Sequence, residues 1–304
     1  MRSPKSLALV SSATLALTLT LAHFQTGVGF AQSPPAKPSA GKPAAPKPVT
    51  TSKGGAAELA APLAPDVAAR IQSGEPMQIQ SALDDVRLAG DLRVAGKSGA
   101  QAANAILVAL ERGLPPKLAI AAMDTLAEVG NTSGADTLVV YTSHRSKEVR
   151  VSAARALANV KAPSATKALR RALADSEASV RSAAATSIGA SKAKEAMPEL
   201  ILALDHRVND AAVAIGQVCT DQNCEVLTGR LGRLPFDVVT SGLAEALLRP
   251  AAEVSDETKQ KLIAKVSAMA TTEAKVFLRD TAKKLPPTSS QKLRAALDEG
   301  GKGA

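Results

Sequence analysis

The chain has 304 residues, 37 basic and 28 acidic side chains, and a formal net charge of +9 at pH 7. Hydrophobic residues make up 45% of it, but Phe, Trp and Tyr together only 2%, so alanine and leucine supply most of the apolar surface. Close-packed helices use such a mixture, whereas strands favour β-branched and aromatic residues. With three histidines and two cysteines, the composition argues against a β-sheet protein and leaves little for metal or redox chemistry.

The positive charge is concentrated before residue 65. Six basic residues and one acidic residue lie there, which leaves 31 basic against 27 acidic residues for the rest. Nucleic-acid-binding proteins concentrate more positive charge on one face, and single-strand binders add aromatic side chains that stack on bases. After residue 31 the aromatic residues are Tyr141, Phe236 and Phe277. We therefore expect no nucleic-acid partner.

Residues 1–31 have the layout of a secretory signal peptide. Arg2 and Lys5 precede an apolar run over residues 7–22, and small residues lead up to a predicted cleavage after Ala31. The run is shorter than the roughly 20 residues that a membrane-spanning helix needs, so an uncleaved anchor is the less favoured alternative. The pattern predicts a bacterial-type protein in the periplasm or outside the cell, with no membrane span after cleavage.

Residues 32–65 form a tract rich in proline, lysine and alanine. Proline lacks a backbone donor and favours an extended conformation, so the tract predicts a disordered linker that cannot pack a core. Its positive charge also suits adhesion to an anionic envelope polymer, although a plain spacer is favoured. One acid, Glu58, opposes four lysines: Lys37, Lys42, Lys47 and Lys53.

Residues 66–304 contain an internal repeat with a period of 31 residues. Residues at equivalent positions of successive units form a column. One column consists of leucines, and three further columns lie four residues apart within each unit, which places them on one helical face. Each unit is thus predicted to hold a first helix with an apolar, small, apolar stripe and a second helix centred on the repeated leucine. That leucine recurs at Leu107, Leu138, Leu169, Leu200, Leu231, Leu262 and Leu293. The first-helix columns are Leu118, Val149, Val180 and Ala211; Ala122, Ala153, Ala184 and Ile215; and Leu126, Leu157, Ile188 and Cys219.

Two segments, residues 147–157 and 178–188, show the most regular first helix. Each has a Val-Arg pair followed by an alanine-rich stretch, and both resemble HEAT repeats, particularly the short PBS-lyase HEAT-like repeats. The resemblance is best over residues 115–235, and residues 236–300 are predicted to form degenerate repeats or capping helices. It implies an all-α fold, an α-solenoid of about 31-residue helix-turn-helix units whose second helices line a surface for protein partners.

Arg150 and Arg181 occupy the arginine position of that repeat motif. An arginine at a helix start can bond turn carbonyls or an acid such as Asp175. We expect these two arginines to be structural rather than ligand-binding.

Cys219 and Cys224 are the two cysteines of the chain. Export to an oxidising compartment predicts a disulfide between them. Free thiols, or a redox or metal role, are the alternatives, although a redox pair more often has two intervening residues and a metal needs further ligands.

Basic residues flank the second-helix leucines in two units. They are Lys167, Arg170 and Arg171 in one unit and Arg230 and Arg233 two units later. They could form a basic patch for an acidic protein or an anionic polymer, and a solvated helix face is the simpler alternative.

Motifs for catalysis are lacking in the sequence. Paired histidine ligands, a nucleophile elbow, a phosphate loop and a dinucleotide fingerprint do not occur. We expect no catalytic residue, metal or cofactor, and predict a non-catalytic scaffold or adaptor in the cell envelope. The alternatives are an envelope-polymer-binding protein and a lyase-related enzyme or accessory protein.

Overall fold

The structure, a computed structural model, describes residues 63–91 and 96–303. The predicted signal peptide with its cleavage after Ala31, and nearly all of the predicted linker, lie outside the described residues. Within the described ranges the chain forms helices and no strand.

Fourteen α-helices occur in this part of the chain, and several of them begin with proline at the first or second position, where its missing N–H costs nothing. Short 3-10 turns follow or precede some of them. The helices are α1 Val67–Gln72, α2 Pro76–Ala89, α3 Gly96–Arg112, α4 Pro116–Glu128, α5 Ala135–Tyr141, α6 Lys147–Ala156, α7 Pro163–Ala172, α8 Ala178–Ser191, α9 Met197–Asp205, α10 Asp210–Val218, α11 Phe236–Leu248, α12 Asp256–Ser267, α13 Thr272–Lys284 and α14 Gln291–Gly300.

The helices stack in two layers. The first layer contains α2, α4, α6, α8, α10, α11 and α13, and the second contains α1, α3, α5, α7, α9, α12 and α14. Packing is between neighbours within a layer and between the two helices of a unit, so each unit is stabilised mainly by the units beside it. This arrangement confirms the predicted all-α solenoid of helix pairs.

Small residues set the spacing of the first layer. In the middle column Ala122, Ala153 and Ala184 are completely buried, and their small side chains let neighbouring helices approach closely. The approach is closest between α10 and α11. A Cβ atom on Gly216 would lie 2.0 Å from the carbonyl oxygen of Gly242, so this contact requires glycine.

The repeated leucines form the centre of the second layer. Six of the seven lie on second-layer helices and are buried, from Leu107 on α3 to Leu293 on α14. The exception is Leu231, which follows a 3-10 turn and is only partly buried.

The unit that begins with α10 differs from the sequence prediction, because it has no second α-helix. Two 3-10 turns, Cys224–Val226 and Thr228–Arg230, occupy that place and pack against α12. Gly229, Gly232 and Pro235 explain the difference, since glycine and proline are the residues least favourable in a helix. Gly232 also has a φ of +77°, which a helix cannot accommodate.

Candidate functional site

Arg150, in the first turn of α6, joins two successive units. Its guanidinium donates two hydrogen bonds to Asp175, Nε to Oδ2 at 2.8 Å and Nη2 to Oδ1 at 2.7 Å. Nη1 donates to the carbonyls of His144, at 3.0 Å, and Arg145, at 3.3 Å. The two paired side chains are 12% and 14% exposed, and the guanidinium holds the pKa of Asp175 below its ordinary value. Arg150 therefore makes both kinds of contact considered from the sequence.

Arg181 makes the same turn contacts one repeat later. Its Nη1 donates to the carbonyls of Asp175, at 2.7 Å, and Ser176, at 2.8 Å. The residue 31 positions after Asp175 is His206, and Arg181 has no ion pair among the described residues. Of these two arginine sites, one therefore has a carboxylate and the other does not.

Cys219 and Cys224 form a disulfide with an S–S distance of 1.99 Å, and both are fully buried. The bond connects the end of α10 to the first of the two 3-10 turns. It therefore lies in the unit that lacks a second helix.

Arg249, which follows α11, is a buried cation beside this disulfide. Its side chain is 7% exposed, and its Nη1 donates to the carbonyls of Cys219, at 2.6 Å, and Gly216, at 3.2 Å. Nε donates to Glu253 at 2.9 Å, and the Arg249 carbonyl accepts from the ammonium of Lys259. The two hydrogen bonds from Nη1 satisfy carbonyls at the end of α10 that the helix itself leaves open. Sequence reasoning missed Arg249, because no repeat column or motif marks it.

Helix α7 carries three of the five basic residues predicted to bind a partner. Arg170 forms an ion pair with Glu199 on α9, which lowers the pKa of Glu199. Lys167 and Arg171 lie one turn apart on the same face and are exposed. Neither has a hydrogen bond or ion pair within the part of the chain that the structure describes.

The other two predicted residues lie near the irregular turns. Arg230 donates to both carboxylate oxygens of Asp205, at 2.8 Å and 2.6 Å, and to the carbonyl of Val226 at 2.8 Å. The guanidinium lowers the pKa of Asp205. Arg233 is exposed, three residues further on. The structure therefore gives Arg170 and Arg230 intramolecular partners and leaves Lys167, Arg171 and Arg233 available.

Two surface clefts lie on either side of α7, and Arg171 lines both. The first, between α7 and the start of α9, has a volume of about 480 Å³ and also contains Lys167 and Glu199. The second, between α7 and the end of α5, has a volume of about 460 Å³ and also contains His144 and Arg145. We define these two clefts and the α7 face between them as the α7 surface.

Two exposed apolar side chains lie on the helices on either side of α7, and sequence reasoning missed them. Val140 on α5 is 72% exposed and Leu202 on α9 is 57% exposed. Both lie 31 positions from Arg171, one before and one after it. Their 31-residue spacing is a periodic signal in the sequence, like that of the buried columns.

Residues 63–91 and 96–303 contain no group of three or more metal-type side chains that could hold an ion. None of the helices in these ranges is long and apolar enough to span a membrane.

Two sequence families match part of the chain. Residues 103–189 match the family described as HEAT repeats, and residues 180–206 match the PBS lyase HEAT-like repeat. No curated protein matches the chain.

Among the solved structures that are similar to the chain are the following two, both at low identity. One is the complex of CpcE and CpcF of phycocyanin lyase from Nostoc sp. PCC7120, with 20% identity, a TM-score of 0.44, and coverage of 83% of this chain and 99% of that chain. The other is a designed armadillo repeat protein in complex with the peptide (KR)4, with 17% identity, a TM-score of 0.41, and coverage of 78% and 98%.

Proposed function

We propose that this protein is a non-catalytic scaffold that binds a protein partner through the α7 surface, since residues 103–189 match the HEAT-repeat family and residues 180–206 match the PBS lyase HEAT-like repeat. The observation that carries the proposal is the pair of exposed cations, Lys167 and Arg171, which have no acceptor within the described ranges and lie between two clefts. By contrast, Arg150, Arg170 and Arg230 are held by carboxylates of the same chain. Charges left unpaired on one face favour fast encounter with an oppositely charged partner.

The scaffold is proposed to act in the cell envelope or outside the cell. The signal-like residues 1–31 support export. The Cys219–Cys224 bond supports it as well, because disulfides persist mainly in oxidising compartments. A direct check is the N-terminal sequence of the protein recovered from the periplasm or the medium, which should begin at Gln32.

The partner-binding role is tested by affinity capture with the full chain from an envelope extract, at low and at moderate salt. A matched pair of charge reversals separates the α7 surface from general charge: Arg171→Glu on α7, and Arg155→Glu on the exposed side of α6. We expect one stoichiometric protein that survives moderate salt, is retained by R155E and is lost or reduced with R171E.

Other outcomes of the same capture assign a different function. Retention of heterogeneous anionic polymer that disappears with salt, and that falls when residues 32–65 are deleted, would replace the scaffold with an envelope-polymer-binding protein. A tightly bound small molecule with no protein partner would favour the lyase-related alternative.

A further inference from the structure

An exposed column runs across the second layer at the same period as the buried leucines. Val140, Arg171 and Leu202 occupy equivalent positions on α5, α7 and α9, and all three are exposed. Helices α5 and α7 pack together, and α9 is joined to α7 by the Arg170–Glu199 ion pair. Packed helices lie about 8–10 Å apart, so the three side chains form a row in which a cation stands between two apolar groups. Large apolar side chains this exposed are few in the described ranges, the others being Met77 and Leu88 on α2.

The cleft between α7 and the end of α5 offers hydrogen-bond donors. Arg145 and Arg171 have no side-chain partner in the described part of the chain, and Asp175 in the same cleft is held by Arg150. The Nδ1 atom of His144 accepts from the backbone N–H of Ser146 at 3.0 Å. Because Nδ1 is the acceptor of that bond, Nε2 is the donor nitrogen of the ring. A ligand for this cleft has to supply acceptors and negative charge.

We propose that the α7 surface binds an extended acidic segment of the partner protein, with one carboxylate on Arg171 and an apolar residue on each side of it, against Val140 and Leu202. The planar guanidinium suits a carboxylate because it can donate two parallel hydrogen bonds. A chain extended in the polyproline II conformation advances about 3.1 Å per residue with three residues per turn, so side chains three residues apart point to the same side and match the helix spacing. The segment has the form apolar, two residues, Glu or Asp, two residues, apolar.

Two other occupants fit the row less well. The chain's own residues 32–65 carry four lysines against one acid and would be repelled by Arg145, Lys167 and Arg171. A purely polar anionic polymer would match the cations but would leave Val140 and Leu202 without apolar contact. The alternation of apolar and basic side chains therefore favours a peptide.

This inference rests on the proposed scaffold function and is tested with defined peptides on the full chain. The probe is a fluorescently labelled peptide, Leu-Ser-Gly-Glu-Ser-Gly-Leu with capped ends, titrated in a polarisation assay. The control peptides replace Glu by Gln, replace both leucines by Ser, or move Glu beside one leucine. We expect the Gln peptide and the peptide with displaced Glu to bind about tenfold more weakly, the size of one charged hydrogen-bonded contact. The peptide without leucines should bind at least about tenfold more weakly, because it loses two apolar side chains.

Matched protein variants locate the contact. Arg171→Glu should abolish binding and Arg171→Lys should weaken it, because lysine keeps the charge but loses the two-pronged geometry. The double substitution V140S/L202S should weaken binding to the level of the peptide without leucines. Arg155→Glu on the opposite layer makes the same charge change as R171E and should leave binding unchanged; circular dichroism confirms that all variants are folded.

Several results would overturn the proposal. These are no binding of the parent peptide at 1 mM, equal binding of the Gln peptide, equal loss in R155E and R171E, or polyglutamate binding that V140S/L202S does not affect. If the captured partner protein is retained by R171E, the α7 surface is not its binding site and the acidic-segment inference fails, while a scaffold function at another surface survives. If no partner protein is captured at all, the scaffold function itself fails.

Discussion

The regular units from α4 to α9 and the irregular unit at α10 are stabilised by different kinds of contact. In the regular units, buried alanine and leucine columns pack two helices per unit, and Arg150 with Asp175 ties one turn to the next. In the irregular unit a disulfide, the buried Arg249 and a glycine contact between α10 and α11 take the place of the missing helix. A repeat that loses a helix can thus stay in the stack when polar and covalent contacts replace the lost apolar ones.

The largest expected loss of stability comes from shortening a repeated leucine, and it should differ between the regular and the irregular unit. Leu200→Ala, in the regular unit, should destabilise the protein by about 3 kcal/mol, because it removes a fully buried side chain and leaves a cavity. Leu231→Ala, at the equivalent position of the irregular unit, should cost about 1 kcal/mol, because Leu231 is only partly buried. Urea unfolding followed by circular dichroism measures both. Equal losses would show that the two units are packed alike.

The buried cation of the irregular unit is tested by Arg249→Met, which keeps an apolar stem but leaves the carbonyls of Gly216 and Cys219 without donors. We expect a loss of about 2–3 kcal/mol in the free energy of unfolding. Arg112→Met, at an exposed arginine on α3, is the matched control and should change stability by less than about 0.5 kcal/mol. If R249M were as mild as R112M, the carbonyls would have other partners.

The disulfide should contribute slightly less to the free energy of unfolding than Arg249 does. The two cysteines are five positions apart, and closing so short a loop in the unfolded chain stabilises by about 2 kcal/mol in the chain-entropy account. The double variant Cys219→Ala with Cys224→Ala should lose about that amount under oxidising conditions. A reducing agent should destabilise the wild type and leave the double variant unchanged; a reductant effect on the variant would contradict this assignment.

The ion pair of the regular units gives a pH-dependent prediction. The folded-state pKa of Asp175 is lowered by its hydrogen bonds from Arg150. Its contribution is therefore present above the unfolded pKa of about 4 and is lost as the pH falls through the folded value. Asp175→Asn should cost about 1.5 kcal/mol at pH 7, and the gap from the wild type should close on acidification. Asp298→Asn, at an exposed aspartate, should show no such gap at either pH.

The smallest change in stability is expected from a substitution that gives Arg181 the ion pair it lacks. His206→Asp places a carboxylate at the position equivalent to Asp175, one repeat later, where Arg181 already bonds two turn carbonyls. We expect a gain below about 1 kcal/mol at pH 7, because the site is near the surface. His206→Asn, which adds no charge, should give no gain; equal effects of the two substitutions would rule out an ion pair.

The sequence predicted the helix pairs because burial imposes a period. A side chain such as Leu138 or Ala153 faces the core in every unit, so its column repeats every 31 residues and is visible without a structure. Turn contacts such as that of Arg150 are also repeated and could be anticipated. Arg249 acts once, at the junction of α10 and α11, and leaves no periodic signal.

The candidate site was predicted only in part, for a similar reason. Basic residues on α7 were identifiable from composition, but the sequence did not distinguish Arg170, which pairs with Glu199 across two helices, from Arg171, which does not. Only the geometry of facing helices makes that distinction. Val140 and Leu202 lie at the repeat period, but both are exposed. Packing does not fix the residue type at an exposed position, so the period alone did not mark these two as functional.

The glycine contact between α10 and α11 also limits how the chain can be rearranged. Units joined by alanine and leucine columns present nearly interchangeable surfaces, so a duplicate of residues 147–177 could be inserted between α7 and α8 to lengthen the array. At the junction of Gly216 and Gly242 the two backbones touch, with Cβ positions 2.0 Å and 2.2 Å from a facing carbonyl. No other unit could be spliced into that junction without new glycines on both sides, so it is a fixed joint in an otherwise extendable array.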